Sequence, residues 1–536
     1  MFKIVLLMLL VRCVPGYAQL TYNWHHTTGD TAATSYYNNV RDVEPGDSDY
    51  VYVAAVASGN PDIDPGAAVV TISPQGSQIG YVAVYNPAGT YVRSWSIECD
   101  NMSEIRSVAI AGNGDVIAVG WYYGATDFDP GPGVVLYTGQ GSFIARYTKL
   151  GQLVWVKNYT NIQAGNSIWF EAVDETAGKI CVGGSLHITQ QDSFDIDPGI
   201  GTDYIQAIAH RWDMGVIMTL DQNGSYLVSV TSAGSYVYAV ELSPFGDMVC
   251  TGGVTDTLDF DPGPGISVYI PLCGPSPFGD FMVARYTSAG TLIWYHAAGN
   301  AGAEAGGYMI LLDAADNIYV AGACGGAIDL LPGPGTLYNN LSGSFVAKYS
   351  AAGQLSWSHN GAGAMDLDSL DNFYLHNYFS GITCYSPGGQ VYWNMSFAVD
   401  VNYLKTSPDG SLYLSARNWS PVDVDPGAGV VNTPSTFSGS TYVVISLQHT
   451  LAGADEYVNN TGFGLYPNPA NDFIVVSSTD DAVELFLIYN SLGQEVLRTK
   501  ITSPQTRVDV SALQPGVYYL RKENSVETVP FVKQGN

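Results

Sequence analysis

Apolar residues in this chain come in short runs, broken every few positions by glycine, asparagine and aspartate, and residues 105–156 show the full pattern. Ile105 to Ala111 reads as a strand, residues 112–115 (Gly-Asn-Gly-Asp) turn, and Val116 to Gly120 returns as a second apolar run. After a loop, Ser142 to Tyr147 forms a third run, residues 149–151 turn again, and Leu153 to Val156 makes a fourth. Period-two alternation with glycine-rich turns predicts four short antiparallel strands. The third run recurs at Phe281–Tyr286 and Phe345–Tyr349, and the fourth at Leu292–Trp294 and Leu355–Trp357.

The loop inside each unit carries a phrase, Asp-x-Asp-Pro-Gly, which begins at Asp62, Asp127, Asp195, Asp259, Asp329 and Asp423, with Leu331 in place of the second aspartate in the fifth copy. The first five starts are 65, 68, 64 and 70 residues apart, and the last interval is 94. A fixed period of this kind means one structural unit stacked on itself. The long interval hides a unit without the phrase, with strands at 371–375, 382–385 and 391–393. A seventh unit has Tyr403–Thr406, Leu412–Ala416 and Tyr442–Leu447 but no tryptophan-bearing fourth strand. Residues 20–26, Leu20 to His26, match Leu292–His296, so the N-terminal strand is expected to complete that unit. The fold class that follows is all-β: a seven-bladed β-propeller over residues 19–450, closed by its N-terminal strand, with no bare edge left to pair with other chains.

After a linker at 451–462, residues 463–536 read as a small immunoglobulin-like β-sandwich. At the other end, Lys3, the apolar run Ile4–Val11 and a Gly16-Tyr17-Ala18 cleavage site before Gln19 read as a signal peptide over residues 1–18. Arg12 before Cys13 argues against a lipoprotein signal, and no later segment predicts a transmembrane helix. A net charge of −29 with only 20 basic residues argues against nucleic-acid binding. Export permits disulfides, but the cysteine spacing is no framework, and Cys181 and Cys250 hold the same place in successive units as small buried hydrophobes would.

Two resemblances add to this reading. Residues 317–322 and 345–357 resemble the bacterial β-propeller repeat family called SBBP, which implies a fold and no activity. Tyr466-Pro467-Asn468-Pro469, the centre ending at Gly493 and the close around Gly516 and Tyr518 resemble the type A C-terminal sorting domain of the type IX secretion system. That resemblance implies type IX secretion machinery as a partner and a secreted or cell-surface protein of a Bacteroidetes-type bacterium. Pro530 departs from the pattern and is expected to weaken an edge pairing.

Candidate chemistry is sparse. The paired carboxylates Asp62 and Asp64, Asp127 and Asp129, Asp195 and Asp197, Asp259 and Asp261, Asp423 and Asp425 are calcium candidates, because a hard cation takes oxygen ligands from such turns. Proline followed by glycine, with aspartate capping backbone N–H groups, also makes a tight turn, and that reading is preferred. No other cofactor is expected. Near the starts of the first strands, Glu104, Arg106, Trp169, Glu171, Glu304, Tyr308, Asp366, Asp400 and Asn402 differ from unit to unit and form a candidate ligand rim. No catalytic phrase is present, so the chain reads as a binding or adhesion-like module for an extracellular protein or glycan and not as an enzyme. The alternatives are a polysaccharide-acting hydrolase or lyase with carboxylates at the channel mouth, and a structural surface component.

Overall fold

A computed structural model of the protein describes residues 19–28, 38–46, 50–160, 167–188, 193–206, 213–274, 278–333, 343–361, 363–377, 381–396, 399–418, 422–426, 430–433, 441–450, 463–466, 470, 473–478, 484–490, 494–501, 505–514, 516–522 and 528–533. The expected signal peptide and linker lie outside these residues, as do Pro467, Asn468, Pro469 and Gly493 of the sorting motif. Contacts divide the chain into two compact units, one spanning Thr21–Gln448 and one holding the C-terminal strands. Among the described residues there is no helix, and therefore none long and apolar enough to cross a membrane.

The larger unit is built of seven antiparallel four-stranded groups in chain order among the described residues. Sheet 1 holds Asn39–Pro45, Val51–Ala57, Ile79–Tyr85 and Tyr91–Cys99, and sheet 2 holds Met102–Ile110, Val116–Tyr123, Gln140–Tyr147 and Leu153–Thr160. Sheet 3 holds Ser167–Thr176, Lys179–His187, Asp213–Asp221 and Tyr226–Ala233. Sheet 4 holds Ser235–Leu242, Met248–Val254, Asp280–Tyr286 and Leu292–Ala298. Sheet 5 holds Ala305–Leu312, Ile318–Cys324, Gly343–Tyr349 and Leu355–Asn360. The compact sheet 6 holds Met365–Leu367, Phe373–Asn377, Gly381–Tyr385 and Val391–Met395. Sheet 7 holds Asp400–Thr406, Ser411–Asn418 and Thr441–Thr450, and its fourth strand is Gln19–Thr28, which begins at the first residue after the expected cleavage site. Thr21 Oγ1 donates to the Gln448 carbonyl at 3.3 Å, and Asn23 Nδ2 donates to Ser446 Oγ at 3.3 Å.

Burial follows strand position. Second and third strands such as Val51–Ala57, Ile79–Tyr85, Met248–Val254 and Asp280–Tyr286 are buried at every residue, because a neighbouring sheet covers each face. Fourth strands such as Tyr91–Cys99 alternate, as one face meets solvent. The first strand of each sheet touches the first strand of the next, and Asp400–Thr406 of sheet 7 touches Asn39–Pro45 of sheet 1. This is β-propeller architecture.

One device recurs at the outer joints. The fourth-strand tryptophan of a sheet lies on a glycine in the turn between strands three and four of the following sheet, and its indole N–H donates to a carbonyl there. Trp155 Nε1 reaches the Gln222 carbonyl at 3.0 Å, Trp294 the Ala351 carbonyl at 2.9 Å and Trp357 the Pro387 carbonyl at 3.4 Å. Trp24, from the N-terminal strand, reaches the Pro87 carbonyl of sheet 1 at 2.9 Å in the same way. Gly89 has φ +77°, and a Cβ built there would stand 2.5 Å from the Trp24 ring, so both the conformation and the space require glycine. Gly151, at φ +84°, lies beneath Trp95 in the same way, but that indole N–H donates to no carbonyl among the described residues. The joint between sheets 3 and 4 has Val228 against Gly290 instead.

The smaller unit pairs a three-stranded sheet (Phe463–Tyr466, Phe473–Ser478, Gln505–Asp509) with a four-stranded one (Glu495–Ile501, Glu484–Asn490, Gly516–Lys522, Thr528–Lys533). Ile474, Val476 and Val508 from the first share a core with Phe486, Ile488, Leu520 and Phe531 from the second, which makes the expected sandwich. Pro530 pairs opposite Tyr519 in an edge strand, the place in a sheet where a proline is tolerated.

Candidate functional site: the channel wall and the repeated loops

Each repeated loop is a wedge. Asp127 Oδ1 accepts the N–H of Asp129 at 3.0 Å and of Val135 at 2.8 Å, while Asp129 Oδ1 accepts the Gly131 N–H at 2.8 Å. The same bonds recur from Asp62 and Asp64, from Asp195 and Asp197, and from Asp259 and Asp261. Asp423 Oδ1 likewise takes the Asp425 and Val431 N–H groups. The residue between the aspartates (Ile63, Phe128, Ile196, Phe260, Leu330, Val424) is fully or almost fully buried. A tyrosine hydroxyl caps its carbonyl in several copies, as from Tyr85 to Ile63 at 2.9 Å and from Tyr349 to Leu330 at 3.0 Å. Where Leu331 replaces the second aspartate, its N–H still donates to Asp329 Oδ1 at 3.1 Å. The first aspartate therefore closes the loop. Among the described residues no group of three or more His, Cys, Asp or Glu is placed to hold a metal ion.

The histidines that follow the fourth-strand tryptophans also serve the joints. His296 Nε2 meets the Asp329 carbonyl at 2.9 Å, and His359 Nε2 the Gly389 carbonyl at 3.0 Å. Of the six described cysteines all are free thiols, and Cys181 and Cys250 are fully buried, as small hydrophobes would be.

The inner wall is different. In six first strands one extra residue interrupts the pairing at the same place: Arg41, Arg106, Glu171, Tyr238, Tyr308 and Asn402. A bulge re-aims a side chain out of its strand's alternation. All six line cavities at the centre of the sheets. One, of about 300 Å³, is bounded by residues from the first strands of all seven sheets, including Arg106, Glu171 and Tyr238. The other, of about 520 Å³, is lined by Asn39, Arg41, Tyr308, Ser344, Asn402 and small residues such as Gly322 and Ala364.

Electrostatics divide this wall into two levels. At the bulges, Glu104 Oε1 takes Arg41 Nη2 at 2.7 Å and Arg106 Nη1 at 2.9 Å, and Arg106 Nη2 reaches Glu171 Oε2 at 3.0 Å. Two guanidinium groups thus balance two carboxylates. Farther along the strands stand Asp42, Glu44, Asp174, Glu241 and Asp366 with Lys405, whose Nζ meets Glu44 Oε1 at 2.6 Å. Burial pushes the Glu44 carboxyl up to about 8 against the pull of Lys405. Burial, then Asp174, raises Glu241 well above its ordinary value. Burial opposes the Lys405 charge, yet Glu44, Asp366 and Asp42 together hold it well above the ordinary lysine value. Asp42 Oδ2 accepts from Ser107 Oγ at 2.9 Å and from the Val108 N–H at 3.0 Å. Asp174 accepts the Leu242 N–H at 2.8 Å, and Asp366 the Thr406 N–H at 2.6 Å, so carboxylates also stitch neighbouring first strands together.

Of the nine rim residues expected from the sequence, Arg106, Glu171, Tyr308 and Asn402 stand at bulges and line the cavities. Glu104 is buried behind them as the shared partner of two arginines. Trp169 packs edge-on against Trp121 with ring centres 5.6 Å apart, Asp366 ties sheet 6 to sheet 7, Asp400 is half-buried, and Glu304 is exposed away from both cavities. Arg41 and Tyr238 were missed. Their signal is two apolar residues three apart, where strict alternation would put them two apart: Val40 and Val43, Val237 and Val240.

The tail has a known counterpart. Residues 464–532 match the secretion system C-terminal sorting domain. The chain is accordingly one that type IX secretion machinery exports to the cell surface or beyond it. No curated protein matches the chain. Among solved structures it is similar to the Dos1 propeller (9% identity, TM-score 0.37, covering 76% of this chain and 78% of that one) and to BamB from Moraxella catarrhalis (13%, 0.32, 77% and 98%). It is also similar to PorZ, a surface component of the type IX secretion system of Porphyromonas gingivalis (9%, 0.17, 92% and 93%). These TM-scores are low, and the propeller assignment rests on the sheet topology.

Proposed function

We propose that the protein is a secreted or surface-displayed binding module: a seven-bladed propeller closed by its N-terminal strand, with its ligand site at the mouth of the central channel. The unbroken succession of first-strand contacts, from sheet 1 through sheet 7 and back to sheet 1, supports the closed ring. So does Trp24, which joins sheet 7 to sheet 1 with the parts used at the other joints.

One observation carries the binding reading. A bulge stands at the same point in six first strands, so the backbone device is shared, yet the six side chains it presents are of four kinds. A scaffold that keeps the device and varies what it displays is built for recognition. The carboxylates that would serve a hydrolase are engaged elsewhere, Glu171 by Arg106 and Asp366 by Thr406, which favours binding over catalysis.

The test is a binding screen of the full chain against extracellular glycans and proteins, run beside a Tyr308→Ala, Asn402→Ala double variant. Binding by the parent that the variant loses at an unchanged melting temperature is the expected result. Equal binding by both proteins would place the site elsewhere.

A further inference from the structure

We propose that the channel mouth takes the end of a neutral carbohydrate. The inference rests on the reading of that mouth as the binding site and names the class of ligand. It starts from Tyr308, which is 43% exposed although it stands on an inner strand. Its ring is held by Tyr238, with centroids 5.5 Å apart, and Tyr238 is in turn stacked on Tyr236 at 6.2 Å with planes 9° apart. The result is an aromatic platform whose outermost ring is free on one side. A pyranose has an apolar C–H face that covers such a ring, and hydroxyls around its edge that need hydrogen-bonding partners. Those partners are present in the same cavity as Asn402, Ser344 and Arg41. The small residues Ala321, Gly322 and Ala323 on the strand beside that of Tyr308, with Ala364, leave room for a flat ring, and about 520 Å³ lies in the range of small-molecule sites.

Charge excludes the other classes. Arg41 is the one formally charged residue lining this larger cavity among those described, and Glu104 at 2.7 Å already balances it. A cationic ligand would meet that guanidinium first. An anionic ligand would find Arg41 as its one counter-charge in this lining, and Glu104 already holds that guanidinium. A polyhydroxylated ligand with no charge meets neither penalty. Hydrogen-bonded carboxylate–arginine pairs suit it well, since they offer donors and acceptors in fixed positions.

The experiment titrates the full chain with neutral di- to tetrasaccharides of glucose, mannose, galactose and xylose, beside a galacturonate trimer and a lysine-rich peptide. The expected result is saturable binding of at least one neutral sugar that is insensitive to added salt. Tyr308→Ala should weaken it by about tenfold or more without moving the melting temperature. Tyr308-dependent binding of the galacturonate or the peptide in preference to every neutral sugar would overturn the ligand class and leave the mouth as the site. No neutral sugar bound at millimolar concentration would likewise overturn it. Neutral-sugar binding that persists in both Tyr308→Ala and Asn402→Ala would overturn the site itself.

Discussion

The outer joints and the channel wall of this propeller use the same repeat in opposite ways. At the joints the parts are nearly interchangeable: a tryptophan, the glycine beneath it, a carbonyl to receive the indole N–H, and an aspartate-closed wedge. At the wall a shared bulge presents Arg41, Arg106, Glu171, Tyr238, Tyr308 and Asn402 in turn. Uniform parts are what stacking needs, because each joint solves the same packing problem. Different parts at a fixed address are what recognition needs. On this division, changes at the joints should move stability and leave binding in the surviving fold alone, and changes at exposed bulge positions such as Tyr308 and Asn402 should do the reverse.

The largest effect is expected at Trp24. It is nearly buried between Tyr85 and Tyr413 and donates to Pro87, and it sits on the strand that no covalent link holds to the rest of sheet 7. Trp24→Ala should cost about 3–5 kcal/mol in denaturant unfolding, as large aromatic truncations in cores do. A loss no greater than that of a surface substitution would mean that Gln19–Thr28 is not part of the cooperative fold.

Next comes a pair of opposed pH dependences, one from each region. Burial lowers the His26 imidazole, on the outer strand, from its ordinary 6.5 to about 4. The unfolded chain then binds more protons between those values, so the contribution is complete above 6.5 and is lost as pH falls through about 4. Glu44, in the channel, goes the other way. Its carboxyl is raised from 4.5 to about 8, so the folded chain binds more protons, and the contribution is complete below 4.5 and lost as pH rises through about 8. The full window is worth about 3 kcal/mol for His26 and about 5 kcal/mol for Glu44. Urea midpoints across pH should show that His26→Gln flattens the acid limb and Glu44→Gln the alkaline limb. An exchange of those assignments would contradict the electrostatic picture of both regions.

Legibility divided along the same line. The joints could be read because their parts recur: Leu20–His26 was recognisable as a fourth strand only through its likeness to Leu292–His296, and it lies beside Thr441–Thr450 as that likeness required. The wedge was legible as a turn but not as a plug, since nothing in one sequence tells that Phe128 points into the core while its neighbours close the loop. The wall was read in part. A bulge is defined by what lies across the strand, so Arg41 and Tyr238 fell outside a search by strand starts, whereas Glu104 and Asp366 fell inside it and proved to be occupied by neighbours. Recurrence identifies scaffold, and the absence of recurrence only narrows where function sits.

Within the wedge, the two aspartates should differ. Asp127→Ala removes the acceptor of two backbone N–H groups and should cost about 1–3 kcal/mol. Asp129→Ala removes the acceptor of one exposed N–H, and its counterpart in sheet 5 is Leu331, so its cost should stay near or below about 0.5 kcal/mol. Equal losses measured by thermal unfolding would show that the wedge closes by something other than the first carboxylate.

The smallest expected effect is the one that separates a wedge from a metal site. A calcium ion needs about six to eight oxygens, and in four of the loops one oxygen of each aspartate is already turned toward a backbone N–H. The loops thus close through their own amides, and chelation of the purified protein should leave its melting temperature unchanged. Were the loops to bind calcium, saturation at a hundredfold excess over Kd would add about 2.7 kcal/mol per independent site, and stripping the ion would lower the transition by several degrees. The outcome bears on the whole comparison. Metal-dependent joints would make the outer ring responsive to its surroundings, and the clean partition between an inert periphery and a recognising channel would have to be given up.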